Sequence, residues 1–346
     1  MAFQNNALHV PQPLVDYCVA YDPSEDSHIR NLFFPRKDIA HEVDLIHTVD
    51  TAEILRLYDL DVTGDSEVGE VEWKPGSDLT VRVQPMASKA RITPALKAGA
   101  DPAFQYEMRA TKQAMISLGQ RMEYLAVKQT MRSTSVLTQY QTFNADTRWD
   151  AFGSPDSSPI DDLQAAVATI RIKCGAKAGK STIRIAMHDY TWMTLKQHQG
   201  VLDRIKYQGL GAILTKELLA KMLDLRSADD IIITNARYTN SKKGATAAYK
   251  AFIGSDVIVA LVDDTDDLNA QALGREFVFD GLGDGNNAFL VRKWIEEGRG
   301  MHLHVPFVGV SCAVKYQATN AANAAYLLQG VIDATDTNRY PADMLD

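Results

Sequence analysis

The residue types able to do chemistry fall in a few short stretches. Asp59-Leu-Asp61-Val-Thr63-Gly64, with Glu70 beyond it, has the ligand spacing of a calcium loop, including the glycine at the sixth place. Ser66 stands where such loops need an apolar residue, and Pro75 with the alternating run Glu70-Val-Glu-Trp73 forbids the exit helix. The stretch reads as a solvated acidic turn. Asp263-Asp-Thr-Asp-Asp267 lacks the glycine and the distal glutamate and reads as a surface loop. His302 and His304 lie two apart on an alternating run and would share a face, as two metal ligands must, but no third ligand is identifiable nearby. His188-Asp189 at a strand end has the residue types of a triad's base and acid, but nothing marks a nucleophile elbow and Asp189 is better used as a helix cap. Gly281-Leu-Gly-Asp-Gly285 follows an apolar strand as a dinucleotide loop does, yet its glycines run GxGxG and strand-like residues follow where a helix should start. A hairpin loop accounts for it, and Gly209-Leu-Gly211 is weaker still. These residues assign no catalytic site, no cofactor and no metal.

Composition sets wider bounds. The chain has 346 residues, 46% of them apolar, enough to bury a substantial core in two domains of ordinary size. A net charge of −8 without any Lys/Arg block argues against clasping nucleic acid. No apolar run approaches the roughly 20 residues of a membrane span, and the N-terminus lacks the basic head and apolar stretch of a signal peptide. Cys18, Cys174 and Cys312 are odd in number and far apart, which argues against a disulfide framework or a zinc site and for synthesis in a reducing compartment.

One long element must hold the rest together. Over 101–133, Asp101 suits an N-cap and Pro102 the first helical position. Phe104, Met108, Met115, Leu118, Met122 and Leu125 then recur in steps of three, four or seven, with Thr111 as the polar interruption. The result is a helix of about 48 Å at ~1.5 Å per residue, a spine too long for one compact core. Before it, residues 1–42 carry four prolines and read as an extended arm with the apolar anchor Leu32-Phe-Phe-Pro35. Val71 and Trp73, then Leu79, Val81 and Val83, alternate with charged or polar residues around the turn Lys74-Pro-Gly-Ser-Asp78. They predict a hairpin whose apolar stripe is covered by the chain's own body or by a neighbouring subunit, because a lone ribbon is marginal in water.

After the loop-like run 149–159, helices and strands alternate. Ser158-Pro-Ile-Asp161 resembles a capping box opening a helix with Leu163, Ala166, Val167 and Ile170 on one face. Strands are expected over 182–187, 231–233, 256–262, 275–280 and 288–295, the last two joined by the glycine loop. Asp189 and Thr215 are expected to cap short helices. A long strand over 301–316 follows, with Val308, Val310, Cys312 and Val314 alternating, and an Ala-rich stretch over 320–331 closes the fold. The class is α+β.

This order of parts resembles the major capsid protein of tailed bacteriophages, the Hong Kong 97 type. The resemblance is carried by LFFPRKDI near the start, Trp149-Asp150 before SPIDDLQAAVATI, HDYTWMTLKQHQGVLDRIKY at 188–207, ADDIIITNARYTNSKKG at 229–244, GMHLHVPFVGVSCAVKY and AAYLLQGVI. It implies an N-arm (1–48), an E-loop region (49–100), a P domain with the spine helix (101–150), an A domain (151–300), a returning P-domain strand (301–320) and a closing segment (321–346). It also implies a non-enzymatic protein without cofactor that assembles with itself into hexamers and pentamers of an icosahedral head. Such a head encloses double-stranded DNA, is located in the virion and is synthesised in the host cytoplasm. Portal, scaffolding or decoration proteins are implied partners, DNA is held only non-specifically, and no membrane is involved. On this reading Val71, Trp73, Leu79, Val81 and Val83 are inter-subunit contacts of the E-loop. The short run to LFFP implies that any scaffolding is a separate protein, and no Lys–Asn cross-link can be placed. An encapsulin-like compartment shares the same fold type, and a soluble α/β enzyme is the alternative of another class.

Overall fold

The computed structural model describes residues 27–47, 57, 78–92, 103–175, 182–206, 213–242, 244–265, 271–279, 281, 289–297, 304–333 and 335. Phe104 lies within the spine helix, but its side chain is outside the described residues.

The spine runs as an α-helix over Ala103–Glu123 and continues as a π-helix over Tyr124–Met131. Met115, Leu118 and Met122 are buried, and Ala126, Val127 and Met131 extend their stripe. Met108 and Leu125 are partly buried against the same core. Thr111 is fully buried and donates its hydroxyl to the Glu107 carbonyl at 2.8 Å, so the polar interruption satisfies itself within the helix. The wide turn shows in bonds that reach five residues back: Thr130 Oγ1 donates to the Leu125 carbonyl at 3.1 Å, and the Arg132 N–H to that of Val127 at 2.8 Å.

Before the spine come β1 (Arg36–Ile39), β2 (Val43–His47), β3 (Asp78–Arg82) and β4 (Gln84–Arg91). After it come β5 (Tyr140–Thr142), β6 (Thr182–His188), β7 (Ile231–Thr234), β8 (Arg237–Thr239), β9 (Tyr249–Ala251) and β10 (Val257–Val262). The last are β11 (Gly274–Phe279), β12 (Leu290–Glu297), β13 (His304–Ala318) and β14 (Ala325–Gln329).

β13 organises the sheet on the spine. It pairs antiparallel with β12 along 304–311, with β4 along 307–314 and with β11 along 314–318, and β1 adds to β11 in parallel. Its residues Val308, Val310, Cys312 and Val314 are buried in the core that holds the spine stripe, while their neighbours point the other way, as the two-residue period requires. The expected hairpin of 275–280 with 288–295 is corrected here. Both strands form, but β13 lies between them, so the glycine loop joins strands that do not pair with each other. Both therefore sit in the spine's sheet.

A second sheet, in the order β5-β14-β10-β6-β7, packs a separate core with the helix Pro159–Cys174. Leu163, Ala166, Val167 and Ile170 are all buried there, and every residue of β10 is buried, as befits a central strand. Two local expectations change. Ser158 makes no side-chain cap bond, and the cap before the helix Asp189–Gln197 is His188 rather than Asp189. Thr215 does cap its helix, accepting the Leu218 N–H at 3.3 Å.

The two cores are bolted together at the end of the spine. The Arg132 guanidinium donates to the buried Asp256 carboxylate and to the Phe252 carbonyl at 3.0 Å, and Asp256 also accepts the Gly330 N–H at 2.9 Å. Asp256→Ala removes the carboxylate that pairs with this guanidinium and accepts the Gly330 N–H, and is expected to cost about 3–5 kcal/mol. Urea unfolding should show this as a lowered midpoint; a variant within ~1 kcal/mol of the parent would count against the bolt.

Candidate subunit-contact surfaces

The residues with chemical potential are placed as structural groups. His188 is buried and its Nδ1 accepts the Tyr190 N–H at 3.2 Å, so the neutral ring carries its proton on Nε2. Burial lowers its pKa to about 4, against a smaller opposing effect of Asp189, and the ring stacks on Tyr190 at 5.3 Å. No carboxylate orients Nδ1 as a triad needs. A serine–histidine pair, Ser157 and His198, was missed by sequence reading. His198 Nδ1 accepts the Gly200 N–H at 3.2 Å, which puts the proton on Nε2, 3.1 Å from Ser157 Oγ. Ser157 in turn donates to the Arg148 carbonyl at 2.7 Å. The histidine therefore donates to the serine rather than accepting its proton, and the pair staples a loop. His304 lies on β13, whereas His302, Asp59, Asp61, Glu70, Gly283 and Gly285 lie outside the described residues. Among the described residues no group of three His, Cys, Asp or Glu is placed to hold a metal, and no helix is long and apolar enough to cross a membrane.

What the fold does present is surface that lacks a cover among the described residues. The outer face of β4, β13 and β12 carries Lys89, Arg91, Phe307, Ser311, Arg292 and Trp294, in the register that opposes Gly309 to both Lys89 and Arg292. Trp294 stacks on Phe307 at 6.1 Å, and Lys89 Nζ sits 4.7 Å above the Phe307 ring. Gly309 makes room for this layer: a Cβ there would lie 2.5 Å from the Trp294 ring. A groove of about 440 Å³ on this face is lined by Lys89, Leu290, Arg292, Trp294 and Gly309, and Lys89 pairs with Glu296 at 2.7 Å.

The second surface is the β2–β3 ribbon. Strand 78–82 pairs with 43–47, while Val71 and Trp73, the expected other strand, lie outside the described residues. One face turns inward, where Val81 and Val83 are fully buried with Ile39, Ile46, Phe277 and Ala313, and Leu79 packs against them. This corrects the assignment of Val81 and Val83 as contacts awaiting a neighbour, because the chain's own sheet covers them. The face left open is the opposite one, where Val43 and Leu45 are 52% and 50% exposed, each opposite Arg82 or Thr80.

The third feature is the seat of the arm. The turn Arg30–Phe33 and strand β1 lay the LFFP anchor on the body, with Phe33 and Phe34 fully buried. Glu123, buried at the junction of the α and π segments, accepts the N–H groups of Ile29 at 2.9 Å and Arg30 at 3.2 Å. Burial raises its pKa, and these two bonds and the Arg30 charge oppose the rise.

No protein-family model matches the chain, and a search of curated proteins returns no match either. Solved structures do match over nearly its whole length. A phage-related protein from Bordetella bronchiseptica RB50 is 19% identical, with a TM-score of 0.67 over 94% of this chain and 99% of that one. A prophage protein from E. coli CFT073, assigned as a capsid protein, is 17% identical, with a TM-score of 0.51 over 93% and 99%. A virus-like particle from Pyrococcus furiosus is 14% identical, with a TM-score of 0.51 over 92% and 98%. In fold, the chain stands with the phage-related capsid proteins.

Proposed function

We propose that this chain is a major capsid protein that assembles with itself into hexamers and pentamers of an icosahedral phage head around double-stranded DNA. The observation that carries the reading is the end-to-end likeness of fold to the Bordetella phage-related protein, at a TM-score of 0.67 with 94% and 99% coverage. The open surfaces support it, since an apolar groove and an exposed apolar ribbon face on one subunit describe a protein completed by copies of itself. His188, His198 and Ser157, which have the residue types an enzyme would use, are engaged in caps and a staple.

The E-loop reading is carried forward in altered form. The contact is made by the 48–77 segment, including Val71 and Trp73, together with Val43 and Leu45, and not by Val81 and Val83. The segment holds eight acidic residues against two basic ones, which complements the exposed Arg91 and Arg292 on a neighbour's sheet face. Packaged DNA meets an acidic subunit and is held only non-specifically.

Purified full-length chain examined by sedimentation and negative-stain microscopy tests the assembly. Closed particles or hexameric capsomers are expected. A chain that stays monomeric at every concentration overturns the reading, and particles filled with a protein cargo in place of DNA favour a compartment shell.

A further inference from the structure

Beneath the arm lies a group of buried ionisable side chains that subunit contact does not use. Arg30 and Glu123 form an ion pair at 3.7 Å, both almost wholly buried. Arg30 Nη1 also donates to the Gly119 carbonyl at 3.3 Å and to His28 Nδ1 at 2.9 Å, and an imidazole nitrogen that accepts from arginine belongs to a neutral ring. A second carboxyl, Glu276 on β11, is buried on the same core face, where Tyr316 on β13 donates its hydroxyl to Oε1 at 2.7 Å. Phe34 of the arm meets the Tyr316 ring edge-on at 5.6 Å, so the arm's anchor closes over this carboxyl.

We propose that Arg30, Glu123 and Glu276 form a proton-binding site that seats the 28–34 segment on the body of the subunit, one buried guanidinium serving two carboxyls of which one carries the proton. The division of roles follows from the donors. Glu123 faces two backbone N–H groups and the Arg30 guanidinium, the surroundings of an ionised carboxylate. Glu276 faces one phenol hydroxyl. Arg36 lies opposite Glu276 in the β1–β11 register and its charge favours the ionised form, as that of Arg30 does, but burial outweighs both. Arg36 belongs to Asp38 at 2.6 Å in a half-exposed pair on β1, and Arg275 points to the opposite face of β11. The Cys312 thiol is pushed up to about 12, chiefly by burial, and Tyr316 stands well above 10 for the same reason, so both stay neutral. A second buried negative charge would have only one direct donor and a share of the Arg30 and Arg36 charges, too little to offset its burial, and the group keeps its proton instead.

The direction of the pH dependence is then fixed. Burial raises the Glu276 pKa above its ordinary 4.5, against the opposing Tyr316 hydrogen bond and the Arg30 and Arg36 charges. The folded chain thus binds a proton that the unfolded chain has released. The stability from this proton is fully present below the unfolded value and is lost as pH rises through the folded one.

The test is unfolding of the purified full-length chain from about pH 5 to about pH 9, beside Glu276→Gln. The ratio of the parent's unfolding constant to that of the variant should climb with pH, by at most about tenfold per pH unit for one proton. Tryptic cleavage after Arg36 and Lys37 should speed up over the same window in the parent alone. If Glu276→Gln does not fold, Tyr316→Phe decides: removing the donor that steadies the ionised form should move the parent's loss of stability to higher pH. Parallel profiles for parent and Glu276→Gln overturn the proposal, as does an unmoved or lowered onset in Tyr316→Phe.

Discussion

Leu118→Asp, or Met115→Asp, is expected to abolish soluble folded protein. Met115 and Leu118 are 1% and 3% exposed, in the stripe that meets the sheet formed around β13. A carboxylate placed there loses its water and gains no donor, because the surrounding side chains are Val308, Val310, Cys312 and other apolar groups. The unpaired buried charge costs several kcal/mol on top of ~2–5 kcal/mol for the lost apolar side chain. Against a typical domain stability of ~5–15 kcal/mol, the total removes most or all of it. Met108→Asp, at a partly buried position about two to three turns nearer the helix start, should be milder. Soluble yield and melting temperature check this; parental values for Leu118→Asp would refute the packing of the spine on its sheet.

Much of this architecture is legible because its signals are local. Met115, Leu118 and Met122 repeat at helical spacing, and Val308 to Val314 alternate over a single uninterrupted strand, so the chain needs no distant partner to declare them. The misreadings share one cause: the partner is remote. Leu79 and Val81 have strand character, but the described partner of their strand is 43–47, some thirty residues earlier, while Val71 and Trp73 lie outside the described residues. The strands at 274–279 and 290–297 look like a hairpin because glycines separate them, yet each pairs with a strand that comes later. Glu123 shows nothing in its helical context to mark it as the acceptor for backbone 93 and 94 residues away. The π turn after it is equally silent, since the residues Tyr124–Met131 have ordinary helical character. Trp294 and Phe307 could be seen to face outward by parity, but their stack across two strands required the register of β12 on β13.

Replacing the 48–77 segment by Asn-Gly is expected to leave a folded subunit that no longer closes into shells. His47 and Asp78 are directly opposed at the end of the β2–β3 ribbon, so a two-residue type I′ turn joins them without moving either strand. Shortening the connection also lowers the entropy of loop closure, by roughly 0.6 kcal/mol per halving of length, so the melting temperature should stay level or rise. Val81 and Val83 remain in place and the core around Phe277 is untouched. A deletion over 70–84 is a different experiment. It removes Val81 and Val83, each contributing about 1.5–3 kcal/mol of burial, together with the strand that holds β2, and it should destabilise the chain whatever its role in assembly. Only the shorter replacement separates contact from folding. Calorimetry should show a cooperative transition at or above the parent's, while sedimentation shows monomers or capsomers in place of closed particles. Intact shells from the shortened chain would mean that subunits are joined elsewhere, with the groove between Trp294 and Lys89 serving some other partner.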